Sequence, residues 1–447
     1  MRAWFRATAG GLSATYWVIW SGILVNKAGG FATLFLSLYL TGPRQLTPGL
    51  AGTIVGGSGI GAAAGTLLGG VLADRWGRRR TLLLAHFGAS GLLLVLASAH
   101  SLPVIAACVV LVGASQGMPG PAFVAAIVDI TPEAARPRAF NLQFWAFNLG
   151  VAAAGLIAGA VARLSFTLLF VSDAATTLVT ALLILLWVPE SVPHKRSRPA
   201  VELAGGGPAG AEPASTGVTG TAPASTGATG GPSSARAGLR VALTDRIFMT
   251  FVGLALLQAV LSAQNTSILP LSMTADRVTP SGYGLLMSLT GLLIVAGQLF
   301  VPWLIRRMLN GSVLALALGL AAAGYGALAF AGSLGFYLAC ATVWTAGAML
   351  AAPANATIMS DLAPPTVRAR YQAVFYLTFS LASFIAPALG GLSWQYLGSW
   401  HWVLCGLVGL VACVGHLIAS PARERRIARR PVTGPATRDV ELIAELS

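Results

Sequence analysis

Charge is what this sequence has least of. Only 9% of its 447 residues are Asp, Glu, Lys or Arg, where a water-soluble globular chain carries roughly a quarter. Acids are the scarcer sign, 14 against 28 basic residues, and lysine occurs only at Lys27 and Lys195. Four cysteines, Cys108, Cys340, Cys405 and Cys413, lie within apolar blocks and form no CxxC, which argues against a disulfide framework or a zinc site. The histidines (His86, His100, His194, His401 and His416) mostly border the apolar blocks and show no metal-ligand spacing. No Ser/His/Asp arrangement and no phosphate-cradling glycine loop ending in Lys-Ser/Thr is present. These gaps imply no enzyme, no cofactor, no metal and no ATP-driven pump.

What fills the sequence instead is apolar: 55% hydrophobic residues and a mean hydropathy of +0.76. The apolar blocks are long enough to cross a bilayer, which takes about 20 helical residues. Cutting at proline, glycine and charge predicts spans near 16–40, 50–72, 80–98, 103–127, 140–162 and 165–187, then 247–270, 282–305, 312–331, 334–359, 371–394 and 401–419. The expected fold is all-α: a polytopic membrane protein with twelve helices in two six-helix bundles, residues 1–188 and 246–420. Arg2 and Arg6 precede a block that runs on to Leu40 with no small-residue cleavage pattern, so it reads as an uncleaved first span.

The net charge of +14 and pI near 10.6 would suit nucleic acid, but the distribution of charge points to a bilayer. All but four basic residues (Lys27, Arg44, Arg163 and Arg277) fall in segments on one side of the twelve spans, in the linker or at the ends. That asymmetry predicts an even number of spans with both termini cytoplasmic. Residues 189–245 join the halves, and their middle is Gly, Pro, Ala, Ser and Thr with near-repeats beginning at Glu212 and Ala222. Such a composition cannot bury enough apolar area to order itself, which predicts a disordered cytoplasmic linker. Residues 421–447 are expected to be a cytoplasmic tail.

The halves repeat one another. Asp129, Pro132, Arg136 and Arg138 recur 232 positions later as Asp361, Pro364, Arg368 and Arg370, and Pro121 recurs as Pro353. Parallel six-helix repeats with a site between them at mid-membrane are the expectation for one large transporter class.

The loop after the second span reads GVLADRWGRRR, Gly70 to Arg80. It resembles the signature between the second and third helices of the major facilitator superfamily, including Gly70, Asp74, Arg75, the turn glycine Gly77, and Arg78 and Arg79 of the basic run. The resemblance implies a gating role. The acid, here Asp74, would face the N-terminus of the eleventh helix near Tyr371, and Arg78 would pair with Asp129, latching the outward-open state. Above this loop Gly57, Gly61, Gly65 and Gly69 recur every fourth residue, a smooth ridge suited either to tight packing or to sliding. Asn26-Lys27, Gln264 to Leu271, the run through Gln298, and Trp344-Thr345 look like a bacterial drug-exporter branch of the superfamily. The chain departs from that branch at Lys27, where arginine is usual, and at Ala348, where an acid is usual. It also has Ala154-Gly155 in the fifth span without the branch's proline. The resemblance implies efflux through a bacterial plasma membrane with protons as the coupling ion, and a monomer is expected.

Lys27 is the one cation near the middle of a span, where lipid exposure would cost roughly 2.5–3.5 kcal/mol. It should therefore face a cavity or an acid, and Asp173 in the sixth span is the matching acid. Both are candidate titrating groups. Asn26, Gln116, Asn148, Gln258, Gln264, Gln298, Asn355 and Trp344, with Asn265, Trp145, Tyr283 and Tyr376, are the candidate lining of a large, mainly apolar pocket for small amphipathic molecules.

Overall fold

The computed structural model describes residues 10–190, 240–297, 300–306, 308–364 and 367–428. Most of the expected linker, Arg2, Arg6, Gln298 and the end of the tail lie outside them. The described chain is all helical, with twelve helical spans long and apolar enough to cross a membrane. The first half contains α1 (Ala14–Ala28), α2 (Phe31–Thr41), α3 (Pro48–Trp76), α4 (Arg78–Ser98), α5 (Leu102–Gly117), α6 (Pro119–Ile130), α7 (Arg136–Val161) and α8 (Phe166–Trp187). The second contains α9 (Arg246–Ser267), α10 (Leu269–Ala275), α11 (Pro280–Gly297), α12 (Val301–Ile305), α13 (Asn310–Ala327), α14 (Leu334–Leu362), α15 (Arg368–Leu397) and α16 (Trp400–Ala428). Pairs α1/α2 and α5/α6 are single spans interrupted near mid-length, the second just before the helix-opening Pro119, and Pro270 opens the short α10 that follows α9.

Local chemistry sets the helix ends. Ser13, Thr47, Ser165, Asp245 and Ser333 accept backbone N–H bonds as N-caps of α1, α3, α8, α9 and α14. Gly77 separates α3 from α4 at φ +101°, and a Cβ there would strike the Glu190 carboxylate. Large apolar side chains such as Leu67, Leu164, Phe330 and Ile418 remain exposed around the outside, as a lipid-facing surface requires.

Within the first half α3 packs on α5, α4 on α8, and α1 on α7 and α8; within the second α13 packs on α14 and α16, and α9 on α15 and α16. The halves meet chiefly through two related pairs, α3 with α15 and α7 with α11. Backbone lies directly on backbone there. A Cβ at Gly52 would run into the Pro387 carbonyl, one at Gly391 into Pro48, one at Gly155 into Gly284, and one at Gly284 into Gly155. All these contacts lie in the span halves farthest from the Gly70–Arg80 loop, so the molecule is closed at the end opposite its arginines.

Two expectations change. The ridge Gly57, Gly61, Gly65 and Gly69 faces Val110, Ala114 and Met118 of its own half, so it is intra-bundle packing. The face toward the other half is Gly49, Gly52, Gly56 and Gly59, hidden in sequence because both stripes share one glycine-rich helix. The last helix also runs to Ala428, through Pro421, rather than ending near 419. Arg423 on that extension is buried and bonds His416, and Arg426 holds Asp245 and the Leu362 carbonyl. Residues 421–428 are therefore part of the bundle, and the expected linker likewise ends in a helical turn at 240–244.

Candidate functional site

A cavity of about 320 Å³ lies between the halves. It starts beside Ala154 and Met287, under the Gly155–Gly284 contact, and extends toward the arginine-bearing end as far as Phe140 and Tyr376. Both halves supply its walls.

Its charged corner is built by the break in the first span. Gly29 and Gly30 end α1 and start α2, leaving the first N–H groups of α2 without a side-chain cap from their own strand of chain. Asp173 of α8 fills that role: its carboxylate accepts the Ala32 N–H at 2.8 Å and the Thr177 hydroxyl at 3.4 Å. Thr176 packs so tightly on Gly29 that no Cβ would fit. Lys27 sits just before the break with Nζ 4.8 Å from the Phe147 ring centroid, a cation–π arrangement. Lys27 and Asp173 line the same cavity and act on each other electrostatically. His86 of α4 shares the corner, its Nδ1 2.7 Å from the Leu82 carbonyl. Sequence reading placed His86 at a span border and missed it; its position two turns into the third span was the available signal.

The opposite wall is aromatic. Tyr325 and Trp344 stack with centroids 4.9 Å apart and planes 5° apart, and the Tyr325 hydroxyl donates to the Asn265 side chain at 2.9 Å. Trp344 Nε1 and Thr345 Oγ1 are buried there with no protein partner, so both can hydrogen-bond a guest.

Of the candidate lining residues, Asn26, Lys27, Gln116, Asn148, Gln258, Asn265, Trp344 and Tyr376 reach the cavity, as does Asp173. Gln264 does not: it is buried against α15, its Nε2 3.4 Å from the Ala386 carbonyl. Asn355 stands one layer back and donates to Gln258 Oε1 at 3.0 Å, positioning the residue that does line the wall. Tyr283 is tied to the Asn265 carbonyl at the closed end, and Trp145 is also outside the lining. For each, helical phase rather than residue type decided the outcome. Gln298 lies outside the described residues.

In the signature loop Arg78 Nε stands 3.2 Å from Asp129 Oδ2, an ion-pair distance without hydrogen-bond alignment. Arg79 donates to the Leu185 carbonyl at 2.5 Å, and Arg80 lies 3.8 Å from Glu190. Asp74 and Arg75 are exposed, and a Cβ on Gly70 would meet open space. The expected contact of Asp74 with the eleventh span is absent among the described residues: Asp74 is exposed at the open, arginine-bearing end. Tyr371, at the start of α15, instead donates to Asp245 at 2.8 Å. Burial pushes the Asp245 carboxyl up, but hydrogen bonds from Arg426, Tyr371 and the Phe248 N–H outweigh it and hold the carboxyl below its ordinary value.

The sequence matches the Major Facilitator Superfamily profile over residues 18–274 and 261–441. The chain belongs to that superfamily. Among its relatives is a Na(+), Li(+), K(+)/H(+) antiporter of Planococcus maritimus, 26% identical over 410 residues, with 84% of this chain and 90% of that one covered. The 3-(3-hydroxy-phenyl)propionate transporter of Escherichia coli (strain K12) is 32% identical over 138 residues, 30% of this chain and 33% of the relative. A solved POT family transporter in complex with a thioalcohol conjugated peptide superposes with a TM-score of 0.73 at 14% identity, covering 91% of this chain and 96% of that one. As a superfamily member the chain is a multi-pass membrane transporter.

Proposed function

We propose that this superfamily member is a secondary active transporter that exports small amphipathic organic compounds in exchange for protons, by rocking its two halves about the central cavity. The observation that carries this reading is the cavity itself. It is walled by aromatic and aliphatic side chains, carries a few hydrogen-bonding points and one lysine, and is sealed at one end by glycine contacts between the halves. With the arginine-bearing loops on the cytoplasmic side, this conformation receives its substrate from the cytoplasm. The Arg78–Asp129 pair and Asp74 then form the gate on that side. The antiporter of Planococcus maritimus supports proton exchange.

A compound screen tests this reading. A strain lacking the protein should accumulate, and be inhibited by, at least one class of amphipathic compound, and the purified protein in proteoliposomes should move it when a pH gradient is imposed. A compound that moves at the same rate with and without the gradient rules out antiport.

One observation favours a second reading, uptake of a small organic anion: among the described residues Lys27 is the one lysine or arginine lining the cavity, and the relative from Escherichia coli transports an aromatic propionate. In that case a substituted benzoate or phenylpropionate should accumulate inside cells only when the protein is present. A non-transporting sensor with this fold would instead keep compound tolerance unchanged in Lys27→Met.

A further inference from the structure

Among the described residues Asp173 is the one acid buried within a span, 2% exposed. A carboxylate in that position is costly unless its charge is compensated. Three things compensate it: the free N–H end of α2, which it caps through Ala32, the Thr177 hydroxyl, and Lys27 across the same corner. The elements packed around it carry no other charge near this corner. The α4 helix contributes His86, while α2, α5 and α7 contribute the neutral Thr33, Gln116 and Asn148. The helix that Asp173 caps is itself part of the closed end. Phe35 of α2 meets Tyr283 of α11 edge to face across the two halves, centroids 5.3 Å apart, and α2 also packs against α9 and α10.

We propose that Asp173 is the proton-binding carboxylate of the transport cycle and that its protonation uncouples α2 from α8, opening the end that Phe35 and Tyr283 help to close. This assignment rests on the antiport reading and names the group that carries it. The ionised carboxylate attracts the positive end of α2 and holds the half-span at a fixed angle to α1 across Gly29 and Gly30. A neutral carboxyl loses that charge attraction: its hydroxyl can turn to the Thr177 oxygen, and only a weaker neutral hydrogen bond to the Ala32 N–H is left to hold α2. The break in the first span then becomes a hinge, and Lys27 is left as an uncompensated cation in the cavity. Thr177 and Thr176 position the carboxyl and the break; they do not carry the proton.

The test reads the gate without needing a substrate. In the full chain, with Cys108, Cys340, Cys405 and Cys413 replaced by alanine, spin labels are placed at Leu164→Cys and Gly332→Cys, exposed sites on opposite halves at the closed end. Distances are measured in lipid nanodiscs by electron–electron double resonance from about pH 8 to about pH 5. The parent should gain a longer-distance population on acidification, a change of about tenfold in the gate equilibrium. Asp173→Asn should show that population throughout and lose the pH response, and Asp173→Glu should restore a response. A parent that does not respond, or an Asp173→Asn protein that responds like the parent, overturns the assignment. Export is judged separately by the compound screen, so either reading can fail without the other.

Discussion

Lys27 and Asp245 show how much a single charge depends on its surroundings in this molecule. Lys27 faces an apolar cavity beside one carboxylate and one aromatic ring, so on the reading proposed above its ammonium is shared between Asp173 and a substrate. Replacing it by methionine, of similar length, fills the same space but leaves Asp173 with one compensating charge fewer, so a lower yield is expected together with the transport defect, and Lys27→Arg should restore the yield. Transport should fall by about tenfold or more, the scale of one lost charged hydrogen bond, in the accumulation assay. Asp245 is a structural charge. It caps α9 through Phe248, accepts from Tyr371, and pairs with Arg426 at 2.6 Å. Its carboxyl is held below its ordinary value, so the ionised form favours folding. That contribution is complete above the unfolded value of about 3.9 and is lost as pH falls through the lower folded value. Asp245→Asn can still cap α9, but it loses the charge that Arg426 pairs with, and it should lower Tm at neutral pH by the equivalent of about 1 kcal/mol in stability. In thermal melts the gap between parent and variant should narrow below about pH 4.

At the scale of elements, glycines packed within a half and glycines packed between the halves have different jobs. Gly61 lies on α5 of its own half, whereas Gly155 of α7 lies on Gly284 of the other half. The same substitution should therefore fail in two ways. Gly61→Leu should reduce the folded yield, because it overpacks a fixed contact. Gly155→Leu should fold but be unable to close the far end, raising the maleimide reactivity of a cysteine at Met287 from that side by about tenfold. Equal reactivity in Gly155→Leu and the parent would show that the α7–α11 contact is not a gate. The sequence made both the spans and the glycine-rich character of α3 legible, since length, hydropathy and small residues are local properties. It could not divide the glycines between faces, because both candidate partners are apolar helices.

The whole molecule has a cavity reaching toward its arginine-bearing end and a seal at the other. Asp74 is exposed in this arrangement and contributes little to it. On the gate proposed above, its attraction to a helix N-terminus would belong to the alternate state and be worth roughly 0.3–1 kcal/mol. Asp74→Asn should therefore shift the population about two- to fivefold toward the conformation described here, read as an increase in the short-distance fraction between labels at the sealed end. An opposite shift would mean that Asp74 stabilises the present state.

The twelve spans, the doubled architecture and the signature loop were determined by the sequence alone, because bilayer thickness, charge asymmetry and an internal repeat leave their marks residue by residue. Most of the cavity lining was legible for the same reason: polar side chains inside spans are rare and must face something. Only the tertiary structure decided that Asp173 caps the broken first span beside Lys27, that His86 joins them, and that Gln264 and Asn355 stand behind the wall. Those facts depend on the rotation of one helix against another, which is set by contacts between residues far apart in the chain and leaves no local periodicity to read.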